Sequence, residues 1–279
     1  MIERRSRLVR IVAIEIPILV IVIFAIAPYL WMVVTSIRPD ADLTTLPLSY
    51  LPSTVTFEHY ATLLEQTSFA YNLWNSLVIA FGAVIVGLMT SVPAAYAFSR
   101  FRFPGRRWLF YAVLLRNMFP AVVFLIPLFI MMRWLHLVNT QWSLVLTYLT
   151  FGLPLSIWLL KGFYDNIPVQ LEQAARIDGA TRFKAFILVV MPLSSPGIIA
   201  TAIYSFIVSW NEYVYALTFL NDQSKLTLPV GLQRFFTEYT TNWPGLMAAS
   251  FIMSVPVVVM FLVLQKYFVK ALTEGAVKS

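Results

Sequence analysis

Few side chains in this 279-residue chain have the chemistry to catalyse a reaction. There is no cysteine, which excludes thiolate nucleophiles, disulfides and sulfur-ligated metals. The two histidines, His59 and His136, stand far apart in no metal-ligand spacing, so no metal site is expected. No Gly-x-x-x-x-Gly-Lys-Ser/Thr occurs and no glycine is followed by lysine, so no P-loop is present to cradle nucleotide phosphates. What remains is a handful of polar groups inside or beside apolar runs: Asn75, Arg116 with Asn117, and Trp210-Asn211-Glu212-Tyr213. A charge at mid-bilayer costs about 2.5–3.5 kcal/mol on insertion scales, so such groups must face a cavity or a neighbouring subunit. Two readings stay open for Asn75, Asn117, Asn211 and Glu212: the lining of a path for a hydrophilic solute, or hydrogen bonding between helices. Trp210 and Tyr213 add aromatic faces to the first reading. No catalytic constellation emerges, and the chain is not expected to be an enzyme or to hold a cofactor.

The elements around these residues follow from composition. Hydrophobic residues make up 59% of the chain, charged residues 12%, and the mean hydropathy is +0.78. Soluble domains carry about 25% charged residues. A soluble globular enzyme, a disordered chain and a disulfide scaffold are all excluded. Six apolar segments are evident, at 11–34, 76–98, 108–132, 142–160, 196–220 and 246–267. Each is long enough to cross a hydrocarbon core of about 30 Å as a helix, and their continuous apolarity does not fit alternating barrel strands. Ala25-Ile26-Ala27 resembles a signal-peptide cleavage site. Pro28 follows it directly, however, and the run stays apolar beyond it, so the segment reads as a retained anchor with Glu15 snorkelling near one end. The tryptophans lie mostly near span ends, as an interfacial belt requires.

Charge sets the expected orientation. With residues 1–10 placed inside, 15 of the 20 Lys and Arg fall on inner segments and 4 on outer ones, with Arg116 inside a span. That asymmetry is a positive-inside pattern, and it scatters the basic residues over separate loops rather than gathering them for nucleic acid. The predicted fold is an all-α polytopic membrane protein with six transmembrane helices and both termini cytoplasmic. The inner segments are 1–10, 99–107, 161–195 and 268–279; the outer loops are 35–75, 133–141 and 221–245. Prolines 93, 120, 127, 154 and 256 lie within the spans, where they fix kinks or permit bending.

The inner segment Lys161–Pro192 carries the densest local pattern. Pro168 suits a first helical turn, and Asp165 or Asn166 suits its cap. Val169–Ile177 reads as a short helix, Gly179 as its left-handed stop, and Thr181 as the cap of a second helix running toward Pro192. Ala174 and Ala175 would let another surface approach closely, ringed by Glu172, Arg176, Asp178, Arg182 and Lys184. From these residues alone, the helix–turn–helix either lies at the headgroups or docks a cytosolic partner.

This loop resembles the EAA motif of ABC importer permeases: Glu-Ala-Ala, three residues, Gly, nine residues, Ile, any residue, Leu-Pro. Here the register gives Gln173-Ala174-Ala175, Gly179, Val189, Met191 and Pro192, so the Gly and Pro spacing matches while Gln173, Val189 and Met191 depart. Further pieces in the same order, TFEHYATLL at 56–64, RFRFPGRR at 100–107, IPLF at 126–129, WNEY at 210–213 and TLPVGL at 227–232, resemble the carbohydrate, maltose-transporter-type branch. The resemblance implies a second homologous permease subunit, two cytosolic ATPase subunits that bind the ATP and Mg, and an external solute-binding protein. It further implies a carbohydrate cargo, a di- or oligosaccharide, moved across the cytoplasmic membrane by alternating access. ATPase coupling would fall to Glu172, Gln173, Ala174, Ala175, Asp178 and Gly179, with Glu172 replacing the motif carboxylate lost at Gln173. The outer loop before the last span would touch the binding protein near Phe235, Phe236 and Tyr239. Two alternatives share parts of this pattern: import of a glycerol-phosphate ester by the same architecture, and a gradient-driven carrier needing no ATPase.

Overall fold

The computed structural model describes residues 11–43, 50–66, 68–236 and 241–276. Tyr239 lies outside the described residues, as do residues 1–10. The described chain is helical. Its elements are α1 (Ile16–Ser36, entered through a π-helical turn at Ile11–Glu15), α2 (Glu58–Gln66), α3 (Phe69–Arg100), α4 (Arg106–Leu115) and α5 (Leu125–Trp134). There follow α6 (Gln141–Asn166), α7 (Val169–Ile177), α8 (Arg182–Leu193, with a π-helical stretch at Phe186–Val190), α9 (Ser195–Trp210), α10 (Val214–Phe219) and α11 (Trp243–Ala276).

Four continuous helices are long and apolar enough to cross a membrane: Val12–Ser36, Phe69–Arg100, Gln141–Asn166 and Trp243–Gln265. Two bent helix pairs bring the number to six if each is one span: Arg106–Met118 with Ala121–Trp134 at 106° and Arg182–Leu193 with Ser195–Trp210 at 75°. An all-α polytopic membrane fold is thus what the structure shows. Two segments read from sequence as single spans are interrupted. The segment at 108–132 breaks at Phe119–Pro120, where both residues are extended and proline has no N–H to continue a helix. The segment at 196–220 breaks at Asn211–Tyr213. The polar stretch at 35–75 also contains α2, and α3 begins within it at Phe69.

The residues group into two compact units, one within Met1–Thr67 and Leu232–Val255, the other within Ser68–Gly231 and Pro256–Ser279. In the first, α1 is almost wholly exposed, with 6% of its apolar window buried. It is fastened at its Ser36 end. Tyr29 shares a 2.8 Å hydrogen bond with Ser254 and lies against Phe251, while Ser36 Oγ and Tyr60 OH are 2.7 Å apart. The following turn is held by Asp42, which accepts both the N–H and the hydroxyl of Ser53 at 2.7 Å.

In the second unit α3, α6 and α9 pack together. One apolar cluster joins Ile79 and Ala83 of α3 to Leu144 and Tyr148 of α6, Met132 of α5 and Phe219 of α10. A second joins Val92 and Phe98 of α3 to Leu160 and Tyr164 of α6 and Phe186 of α8. Gly197 lies so close to the Phe163 ring that a Cβ there would overlap it, which fixes how tightly α9 approaches α6. Together these clusters hold the α7–α8 elbow at one end of the packed helices and the α9–α10 break along their length.

Candidate coupling elbow and mid-span polar cluster

At its far end α6 runs out at Asn166. Ile167 and Pro168 are extended, and α7 starts at Val169. The end of α7 is closed by main-chain bonds: Asp178 N–H to Ala174 O at 3.0 Å, Gly179 N–H to Arg176 O at 3.2 Å, and Ala180 N–H to Ala175 O at 3.0 Å. Gly179 adopts φ +89°, the left-handed conformation in which a side chain is penalised. Thr181 then caps α8 by accepting the Lys184 N–H at 3.2 Å. The helix–turn–helix anticipated over 169–192 is therefore formed, its turn made by the glycine.

Gln173, Ala174, Asp178 and Gly179 are exposed on this elbow and Ala175 is half-buried. Ile177 and Phe183 project beside them, 86% and 70% exposed. Glu172 behaves differently. It points inward at 7% exposure, accepts Arg100 Nε–H on Oε1 at 2.5 Å, and accepts the Tyr96 hydroxyl on Oε2 at 2.7 Å. Arg100 Nη2 also donates to Ile167 O at 2.7 Å, at the α6–α7 corner. Beside it, Ser99 donates to Asp165, which pairs with Lys161. The idea that Glu172 replaces the motif carboxylate toward a partner is corrected by this geometry, because its charge is already met inside the chain.

The mid-span residues are drawn together only in part. Glu212 sits in the α9–α10 break, where its carboxylate accepts Tyr215 N–H at 2.9 Å, Ala216 N–H at 3.1 Å and the Tyr148 hydroxyl at 2.9 Å. It thereby starts α10 in the manner of an N-cap. Asn211 donates to Ile207 O at 2.9 Å, closing α9. Trp210 is 1% exposed and stacked on Phe206, with ring centroids 5.4 Å apart, so its face is not open to a solute. Tyr213 is half-buried and Asn117 exposed. A small, partly open crevice of about 10 Å³, room for a single water, lies between α3, α6 and α9, lined by Tyr148, Gly152, Ser205 and Ser209 among others.

Asn75 has another task. Its amide donates to the carbonyls of Ser224 and Leu226 at 2.8 and 3.2 Å, and its oxygen accepts from Gln141. Sequence reading missed its counterpart, Asn139. At φ +61° between α5 and α6, Asn139 accepts the N–H groups of Asn221 and Asp222, both at 3.1 Å. An asparagine flanked by span ends, able to occupy left-handed backbone, was the available signal. Phe236, exposed, forms an isolated antiparallel bridge with Thr241, and Phe235 precedes it.

These features define a helical membrane-spanning permease subunit: packed helices, breaks along their length, and a small elbow at one end. Residues 83–274 match the family of binding-protein-dependent transport system inner membrane components, and the chain belongs to that family. It is accordingly a multi-pass inner-membrane protein that serves binding-protein-dependent transport. The chain is 35% identical, over 93% of its length and 94% of the relative's, to the diacetylchitobiose uptake system permease protein DasC of Streptomyces coelicolor. It is 38% identical, over 92% of each chain, to the trehalose/maltose transport system permease protein MalG of Thermococcus litoralis. Its fold superposes with a TM-score of 0.81 and 26% identity, covering 94% of this chain and 98% of the other, on a chain of a bacterial ABC transporter involved in the import of the acidic polysaccharide alginate.

Proposed function

We propose that this chain is one of two membrane subunits of an ABC importer that brings a di- or oligosaccharide across the cytoplasmic membrane by alternating access. The observation that carries the coupling role is the α7–α8 elbow: an exposed, small-residue surface at Gln173, Ala174, Ala175, Asp178 and Gly179, backed by the buried Arg100–Glu172 pair. A rigid handle of this kind can pass a push into the helices it is bolted to. Two cytosolic ATPase subunits holding ATP and Mg would supply that push, a homologous second permease would complete the channel, and an external solute-binding protein would deliver cargo. The 15-to-4 split of basic residues supports placing the elbow and both termini on the cytoplasmic side. The carbohydrate reading draws on the saccharide uptake named for the relatives.

Reconstitution tests this reading. The complete assembly takes up a labelled disaccharide, neutral or acidic, only with ATP on the elbow side and binding protein on the other. Uptake by the isolated chain under an ion gradient, or cysteine labelling that places Gln173 outside the cell, overturns it.

A further inference from the structure

Arg116 lies ten residues beyond Arg106, at the start of the α4–α5 break. Ten helical residues put it about 15 Å along α4 from Arg106, inside the apolar run at 108–132. A guanidinium stays charged at any physiological pH, so within an apolar run it needs a partner. Its Cζ is 3.9 Å from the Phe151 ring centroid and 4.9 Å from that of Phe124. Nε and Nη2 are buried and have no hydrogen-bond partner among the described residues. Those two atoms form one edge of the guanidinium fork, with parallel N–H bonds that match the two oxygens of a carboxylate. Among the described residues no carboxylate pairs with it; Glu212 is taken up by Tyr148 and by the start of α10.

We propose that the Nε–Nη2 edge of Arg116 receives a carboxylate carried by the transported saccharide, which makes the cargo an acidic sugar such as a uronate. This rests on the carbohydrate reading above and narrows it. A neutral hydroxyl could fill the hydrogen bonds but would leave the charge of the buried edge unmet. Neither atom meets solvent in this conformation. The cargo therefore reaches the edge when the corner at Phe119–Pro120 opens, the point where extended backbone and a missing N–H leave α4 and α5 unjoined. Asn117, exposed beside it, supplies a neutral polar group for the rest of the ring.

The whole assembly, with its binding protein, is reconstituted in liposomes and offered labelled digalacturonate or its neutral counterpart galactobiose. The wild type is expected to take up digalacturonate at least tenfold faster. Arg116→Gln should lose that uptake at least tenfold while the subunits still co-purify. Arg116→Lys, which keeps the charge without the fork, should fall between the two. Equal digalacturonate uptake by the wild type and Arg116→Gln overturns the proposal. So does a wild type that moves galactobiose and refuses digalacturonate, although the carbohydrate reading then stands. An assembled, ATP-hydrolysing complex that moves neither saccharide also overturns it. Loss of the second permease from Arg116→Gln preparations would instead place the carboxylate on that subunit and overturn the assignment to cargo.

Discussion

Arg100, the last residue of α3, donates its Nε–H to Glu172 of α7 at 2.5 Å, with side chains only 10% and 9% exposed. The pair joins the end of α3 to the first helix of the elbow. Tyr96 satisfies the other carboxylate oxygen and the Ile167 carbonyl takes a further guanidinium N–H, so the desolvated charges are nearly saturated. Removing one partner leaves the other uncompensated, at about 3–5 kcal/mol for a buried pair. Arg100→Ala should therefore loosen α7 and lower ATP-coupled uptake. Hydrogen exchange over Val169–Ile177 checks this: protection equal to that of the wild type would show that the pair does not hold the elbow.

Gly179 permits the turn only through its positive φ. A β-branched residue should strain the left-handed backbone by roughly 1–2 kcal/mol. Open space surrounds the Cβ position, so backbone conformation and not crowding sets this penalty. Gly179→Val should insert normally in the membrane while uptake and substrate-stimulated ATPase fall. Full coupled transport by the variant would count against a lever at this turn.

Asn75 and Asn139 brace the segment after α10 from two sides. In Asn75→Ala two carbonyl contacts and the Gln141 bond disappear, and a buried group left unmet costs about 1–3 kcal/mol. Faster amide exchange at residues 221–228 is the expected readout, with the exchange of α7 unchanged.

Asp222 responds to pH. Hydrogen bonds from the Ser224 hydroxyl and N–H, together with nearby Lys225, hold its carboxyl below the usual carboxylate value. A carboxyl lowered in the folded state adds stability that is complete above its unfolded value, about 3.9. That contribution is lost as pH falls through the lowered folded value. Ser224 amide protection should thus persist at pH 5 and fade below about pH 4, and Asp222→Asn should remove the dependence. A variant that kept the same pH profile would assign the effect to another group.

Much of this architecture was legible in the sequence because membrane spans are written as long apolar runs, and because Gly179, Thr181 and Pro168 have conformational preferences that local reading captures. The helix–turn–helix over 169–192 emerged with its turn in place for that reason. What remained hidden depended on which way a side chain points. Glu172 and Gln173 are adjacent and chemically similar, yet one is buried against Arg100 and the other exposed, a difference set by the packing of α7 on α3. Trp210 next to Asn211 looked like an open aromatic face until tertiary packing stacked it on Phe206. The breaks near Pro120 and Glu212 sit inside runs apolar enough to read as continuous, since hydropathy averages over a window and does not register a single carboxylate capping a new helix.

The two asparagine braces have a consequence for how this permease can diversify. The Asn75 side chain grips carbonyls in the segment after α10, and the Asn139 side chain grips amides there, so both recognise the contour of the main chain. Asp222 and Lys225 add side-chain holds on Ser224 and the Asn139 carbonyl; elsewhere on that stretch side chains can be exchanged while its path is kept. A surface fixed in shape yet free in identity lets a lineage retune what it meets without rebuilding the helices underneath.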